Sequence, residues 1–258
     1  MDLNLTGKCA LVTGSHRGTG TIIAQYLALE GARVLVHGLK AGQAEAAVEQ
    51  LGLGEPVTGD ITNDDGAAQL INQMAGSHID ILVNNYGTAD AGSWETSTSE
   101  EWVVAYQKNV LSAQRLITSL LPPMRDAGWG RIINLGTIGS TRPNARNPQY
   151  YASKGALATM TVSLAKELAA SGVRVNLVSP GIILTPEVEA AYLARGQRKG
   201  WGSTWDEIEP HAARDIPIGR ITRREEVASL VAYLASPLAD AIHGQNIKID
   251  GGILDIVS

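Results

Sequence analysis

Tyr150 and Lys154 stand four residues apart at the start of a stretch with helical periodicity, a spacing that puts both side chains on one face. A phenol ordinarily loses its proton near pH ~10, too high for ready exchange at neutral pH, and an adjacent ammonium stabilises the phenolate and lowers that value. The pair therefore reads as a proton donor, although the same spacing also describes an ordinary solvated helix face. A second cluster lies near the start of the chain, where Gly14, Gly18 and Gly20 fall within CALVTGSHRGTG. Their spacing lets the backbone turn sharply and approach a pyrophosphate closely, with the free amides of a helix start facing the anion. A glycine triplet alone specifies little; it gains meaning between a strand and a helix.

The surrounding residues supply that context. Cys9 to Val12 is a short, apolar, branched run ending in the glycine turn, as a buried strand does. From Thr19 the period changes: Ile22, Ile23, Tyr26, Leu27 and Leu29 recur at three-to-four spacing, and Gly31 supplies a left-handed stop. A second strand follows over 33–37. Helices are predicted at 44–51, 64–74, 100–121, from Pro148 to near Gly172, and at 225–235, with further strands at 55–59, 79–83, 131–135, 174–178 and 246–249. Pro122 and Pro123 are expected to stop the 100–121 helix, and Asn147 to cap the helix that carries Tyr150. Pro210 and Pro217 bracket a stretch that reads as irregular. This alternation predicts an α/β fold: a single-domain, Rossmann-type doubly wound parallel sheet over 1–258, with helices on both faces.

Composition narrows the function classes. The 258 residues carry a net charge of −5 and no Lys/Arg-rich run, which gives no electrostatic footprint for nucleic acid or an anionic membrane. No apolar stretch is long enough to cross a bilayer and the first residues form no leader pattern, so a cytoplasmic location is expected. The single cysteine, Cys9, reads as a small core residue. Five scattered histidines with no helical pair offer no metal site. Phe is absent, which leaves Leu, Ile, Val and Ala to fill the core.

In order along the chain stand TGSHRGTG, Asn84-Asn85-Tyr86-Gly87, Asn109, Tyr150-Tyr151-Ala152-Ser153-Lys154, and Pro180-Gly181-Ile182-Ile183-Leu184-Thr185. In these the chain resembles the short-chain dehydrogenase/reductase family, from Gly7 to Asp250-Gly251-Gly252. The resemblance implies that Tyr150 is the general acid/base, that Lys154 lowers its pKa and holds the nicotinamide ribose, and that Asn109 anchors a water in a proton relay. It further implies cofactor contacts by Thr19 and Gly38, by Asp60 and Ile61 at the adenine, by Asn85 and Gly87 on the ribose side, and by Pro180, Gly181, Ile183 and Thr185, the last at the carboxamide. The family's fourth catalytic residue is normally a serine thirteen positions before the tyrosine; position 137 is Thr, whose hydroxyl can still donate to a carbonyl oxygen. Ser140 is the alternative. Tyr86 stands where the family has a small residue, and either reaches towards nicotinamide or substrate or packs on the glycine turn.

A carboxylate at the end of the second strand would accept both ribose hydroxyls of NAD, but Val36-His37-Gly38-Leu39-Lys40 contains no acid. Arg17 and Lys40, with Ser15 and His37 as extra donors, point instead to a phosphate and so to NADP(H). Trp201 and Trp205, in the 186–216 segment that covers substrate in the resembling family, suggest a bulky apolar ketone or alcohol, or else pack the lid itself. One branch of the family reduces acyl-carrier-bound β-ketoesters through basic residues; the matching places are Gly128 and Ser171, with Arg125 and Arg131 near the first. The resemblance also implies a homotetramer, joined through the 100–121 helix and the helix after Pro148. An NAD-dependent alcohol dehydrogenase and a cofactor-binding regulator without turnover remain the other readings.

Overall fold

The structure is a computed structural model that describes residues 1–256, so the last two positions of the expected 1–258 domain lie outside the described ones. In chain order the elements are β1 (Cys9–Val12), α1 (Gly18–Leu29), β2 (Arg33–Gly38), α2 (Gln43–Leu51), β3 (Glu55–Thr58), α3 (Asp64–Gln73) and β4 (Ile81–Asn84). Then come α4 (Ser99–Tyr106), a π-helical turn (Gln107–Leu111), α5 (Ser112–Asp126), β5 (Gly130–Leu135), α6 (Pro148–Glu167) and β6 (Val173–Pro180). The chain continues through β7 (Ile183–Leu184), α7 (Pro186–Lys199), α8 (Trp205–Ala212), β8 (Thr222–Arg223), α9 (Arg224–Ala235) and β9 (Asn246–Ile249).

Seven strands form one parallel sheet in the order β3-β2-β1-β4-β5-β6-β9. The chain winds outward from β1 to β3, returns to lay β4 on the other side of β1, and then winds the opposite way. That reversal leaves a crevice beyond the carboxyl ends of β1 and β4, where open α/β sheets bind ligands. The two segments at its rim are the glycine turn after β1 and Asn85–Gly87 after β4.

Alternation along the strands feeds two apolar layers. Ala10 and Val12 of β1 join Ile23, Leu27, Val227 and Val231 under α1 and α9, while Cys9 and Leu11 join Leu70, Leu82, Leu116 and Leu157 under α3, α5 and α6. Both faces are covered, so the central strands are rich in branched apolar residues. Without Phe, branched aliphatic side chains fill both layers.

Three expectations are corrected. The predicted 100–121 helix is interrupted by the π turn around Asn109 and then runs through Pro122 and Pro123 to Asp126. Pro210 likewise lies inside α8, within the stretch expected to be irregular. All three prolines are exposed, as are Thr118, Ser119 and Asp206 four residues before them, so the carbonyls left without a donor meet water while the buried faces hold the helix. Asn147 precedes α6 but makes no side-chain cap; it adopts a left-handed φ of 55°, which Asn tolerates, and its N–H donates to Gly92 O at 3.0 Å.

Candidate active site

The glycine turn leaves β1 with Gly14 and Gly18 at φ values of 63° and 65°, a region that favours glycine. A Cβ on Gly20 would lie 2.5 Å from Asn85 Nδ2 and 2.9 Å from Gly14 O, so only glycine lets α1 approach the β4 turn. α1 begins without a side-chain cap and without an acid in its first turn, whereas Asn63, Thr98 and Thr185 cap α3, α4 and α7. Its first amides therefore stay open to the groove. Within the same turn His16 Nδ1 is buried without a partner, and burial lowers the pKa of that ring. An uncapped helix start, left-handed glycines and an orphaned donor or acceptor fit the diphosphate of a dinucleotide.

His37 and Ser15 depart from expectation. His37 is fully buried; its Nδ1 accepts from Gly14 N at 3.0 Å and its Nε2 donates to Gly59 O at 2.9 Å. Burial drives its pKa down to about 4, so the ring is neutral and has no free donor for a phosphate. The Ser15 hydroxyl is also buried, donating to Val12 O at 2.7 Å and accepting from His37 N at 2.9 Å. These side chains clip the turn to β2 and to the segment after β3.

At the other end, Lys154 is buried and its Nζ donates to Leu135 O at 2.7 Å. One helical turn earlier, the Tyr150 hydroxyl lies near enough to the Thr137 side chain to feel it electrostatically. Burial, then the neighbouring Tyr151, raises the phenol to about 12 against the opposing pull of Thr137. Desolvation lowers Lys154 to about 8. Here the Lys154 ammonium is turned to the Leu135 carbonyl, and burial governs the phenol.

Thr137 Oγ1 accepts from Gly139 N at 3.2 Å, and Ser140 Oγ donates to Thr137 O at 2.7 Å, inside the 3₁₀ turn Ile138–Ser140. Asn109 is buried in the π turn, its amide donating to Thr88 O and Ala105 O and accepting from Thr88 N. A Cβ on Gly87 would fall 2.6 Å from Asn109 Oδ1 and 3.0 Å from Lys154 Nζ, so this glycine lets the β4 turn sit against both.

One groove of about 750 Å³ joins the two ends, lined by Gly14, Arg17, Gly18, Thr19, Asn85, Tyr86, Gly87, Tyr150, Lys154, Pro180, Ile183 and Thr185. His16, Thr88, Asp90, Glu187 and Val188 also line it and had not been singled out. His16 lay within a motif already noticed; Glu187 carries no signal in the sequence, since only the fold brings it to 3.7 Å from Arg17. Other expected contacts have structural tasks. Gly38 gives α2 room at Gln43, Gly181 lies against Asp250, Ile61 is core, Asp60 accepts from Thr62, and the Lys40 amide donates to Gln43. Trp205 packs with Ile216, Ile221 and Tyr192 in a small separate core, and Trp201 stacks on His211 at 5.2 Å. Both pack against residues of their own segment.

A doubly wound sheet whose switch-point groove joins an open glycine turn to a half-buried Tyr150 and a buried Lys154 defines a dinucleotide-binding oxidoreductase. The chain belongs to the short-chain dehydrogenase/reductase family: a family model described as enoyl-(acyl carrier protein) reductase matches residues 14–254. The 3-oxoacyl-[acyl-carrier-protein] reductase FabG of Vibrio cholerae is 35% identical over 97% of this chain and 99% of its own. L-sorbose reductase from Gluconobacter frateurii, solved with NADPH and L-sorbose, superposes with a TM-score of 0.91 at 30% identity over the whole of both chains. A 3-oxoacyl (acyl-carrier-protein) reductase from Agrobacterium tumefaciens with NADP bound gives 0.87 at 29%, over 97% of this chain and 95% of that one.

Proposed function

We propose that this oxidoreductase interconverts a ketone and a secondary alcohol with NADP(H), and that Tyr150 is its proton donor and acceptor. The observation that carries the reading is one groove in which Tyr150 and Lys154 face the open glycine turn, with Thr137 beside the Tyr150 hydroxyl. A substrate carbonyl between the two hydroxyls accepts from both. The bound reduced nicotinamide supplies the hydride. Thr137 polarises the carbonyl, and Tyr150 passes its proton to the oxygen as charge develops there. Lys154 steadies the resulting phenolate, and Asn109 fixes the Thr88 backbone beside it. Residues 186–216 act as the substrate-covering lid. NADP(H) over NAD(H) is supported by the absence of an acid at the end of β2, by Arg17 in the groove, and by the NADPH and NADP named for the two solved relatives. A ketone and alcohol panel followed at the reduced-nicotinamide absorbance with both cofactors tests this; no turnover on any member overturns it.

Lys154 sets the expected pH dependence. A lysine whose value is lowered to about 8 carries its charge below that pH and loses it above, while Tyr150, at about 12, keeps its proton across the same range. The kcat/KM for ketone reduction is therefore expected to fall as pH rises through about 8, and Lys154→Met is expected to be slow with no break there. A wild-type profile flat to pH ~10 contradicts this role.

The names of several relatives raise a second reading, reduction of a ketone carried on an acidic carrier protein. Neither nearby arginine stands as a free docking cation: Arg131 is buried, bonded to Ser236 O, Gly130 O, Gly172 O and Asp240, and Arg125, half-exposed, pairs with Glu167. A free small-molecule substrate is the better fit.

The chain is also proposed to form a homotetramer. Val103, Val104 and Tyr106 on α4 and Val162 on α6 are 43–59% exposed, an apolar surface on two packed helices that helix pairing between subunits would cover. Light scattering is expected to give four times 27.2 kDa; a monomer alone would refute it.

A further inference from the structure

We infer that Tyr86 is a specificity-determining residue for the cofactor: its phenol O–H donates to the phosphate on the adenosine ribose of NADP(H), alongside the guanidinium of Arg17. The inference rests on the NADP(H) reading above and begins from a shortage of donors. A ribose phosphate presents three strong acceptor oxygens. Four side chains looked able to meet them in the sequence, and the structure commits two elsewhere, His37 to Gly14 and Gly59, and Ser15 to Val12 and the β2 backbone. Lys40 lies off the groove wall, which leaves Arg17.

Tyr86 is placed to supply the second donor. Its N–H is held by Thr13 Oγ1 at 3.0 Å, and its Cβ and Cδ2 lie 3.2 and 3.3 Å from where a Cβ on Gly14 would be. The ring therefore rests across the turn from which Arg17 projects, and both side chains line the same groove. Among the described residues the phenol hydroxyl makes no hydrogen bond. Burial, with Asp60 and Asp90 nearby, pushes its pKa up to about 12, so it keeps its proton and meets an anion as a donor. In the short-chain family this place normally holds a small residue. A tyrosine here narrows the groove on the phosphate side, and hydrogen bonding to the ligand is the use its position allows.

Equilibrium dissociation constants for NADP+, NAD+ and 2′,5′-ADP, measured by calorimetry on wild type, Tyr86→Phe and Arg17→Met, test the inference. Tyr86→Phe keeps the ring on Gly14 and removes only the hydroxyl; an unchanged melting temperature confirms that the turn is intact. A hydrogen bond to a charged group corresponds to about tenfold in affinity or more. Tyr86→Phe is expected to weaken NADP+ and 2′,5′-ADP by about that factor and NAD+ by less than about twofold. Equal loss for NADP+ and NAD+, or no loss, overturns the role of Tyr86 while Arg17→Met still abolishes the preference for NADP+. A wild type without preference, unaffected by Arg17→Met, overturns the NADP(H) reading and this inference with it.

Discussion

Replacing Tyr150 with phenylalanine is expected to lower kcat for ketone reduction by about 10²–10⁴-fold, the usual contribution of a positioned general acid. The ring would remain, packed edge-on against Tyr151 at 5.2 Å between centroids, so the local fold has no reason to change. Only the hydroxyl and its transferable proton go. The dinucleotide dissociation constant should move by less than about twofold, because the glycine turn, Arg17 and Lys154 are untouched. Steady-state rates at saturating cofactor, paired with direct cofactor titration, separate the two effects. A variant that keeps most of its turnover would remove Tyr150 from the chemistry.

Thr137→Val is the second large effect, about 10²–10³-fold in kcat, as for loss of one donor to a developing oxyanion. Valine matches threonine in shape but has no hydroxyl, so it also gives up the acceptor that Gly139 N uses to close the 3₁₀ turn. Thr137→Ser restores both functions and is expected to keep or raise activity by relieving crowding at the missing methyl. Ser140→Ala loses only the bond to Thr137 O, a contact within the turn, and should change kcat little. The three variants rank the hydroxyls in one assay. Ser140→Ala inactive with Thr137→Val active would transfer the polarising role to Ser140.

The two patterns that organise the molecule were readable as residues. A glycine turn between an apolar strand and an amphipathic helix, and a Tyr–Lys pair at four-residue spacing, both depend on local geometry that sequence spacing encodes. What escaped depends on contacts between distant segments. His37 looked like a donor at a strand end, but whether its ring faces the groove or the interior is decided by the glycine turn 23 residues earlier and the Gly59 carbonyl 22 residues later. The prolines of α5 read as a stop because their cost is local, whereas the packing of Leu116, Leu120 and Met124 that holds the helix through them is tertiary. The two tryptophans carried no sign of which way they faced. Tyr150 and Lys154 line one groove as their spacing suggested, but the balance between charge and burial that sets their protons is a property of the folded interior.

The Arg17–Glu187 pair spans the groove mouth and ties the glycine turn to the first turn of α7. Both side chains are exposed, by 70% and 63%, so the pair itself contributes no more than about 1 kcal/mol. Its importance is thermodynamic linkage. An anion that takes Arg17 does so at the expense of Glu187, and so weakens the one ion pair found, among the described residues, between α7 and the turn. Coupling of this kind is reciprocal: whatever draws α7 away from the turn strengthens anion binding by the same factor. With Arg17 on the cofactor phosphate as proposed, cofactor affinity and the position of α7 become one equilibrium read from two ends, and ionic strength, which screens an exposed pair and a phosphate contact alike, acts on both together.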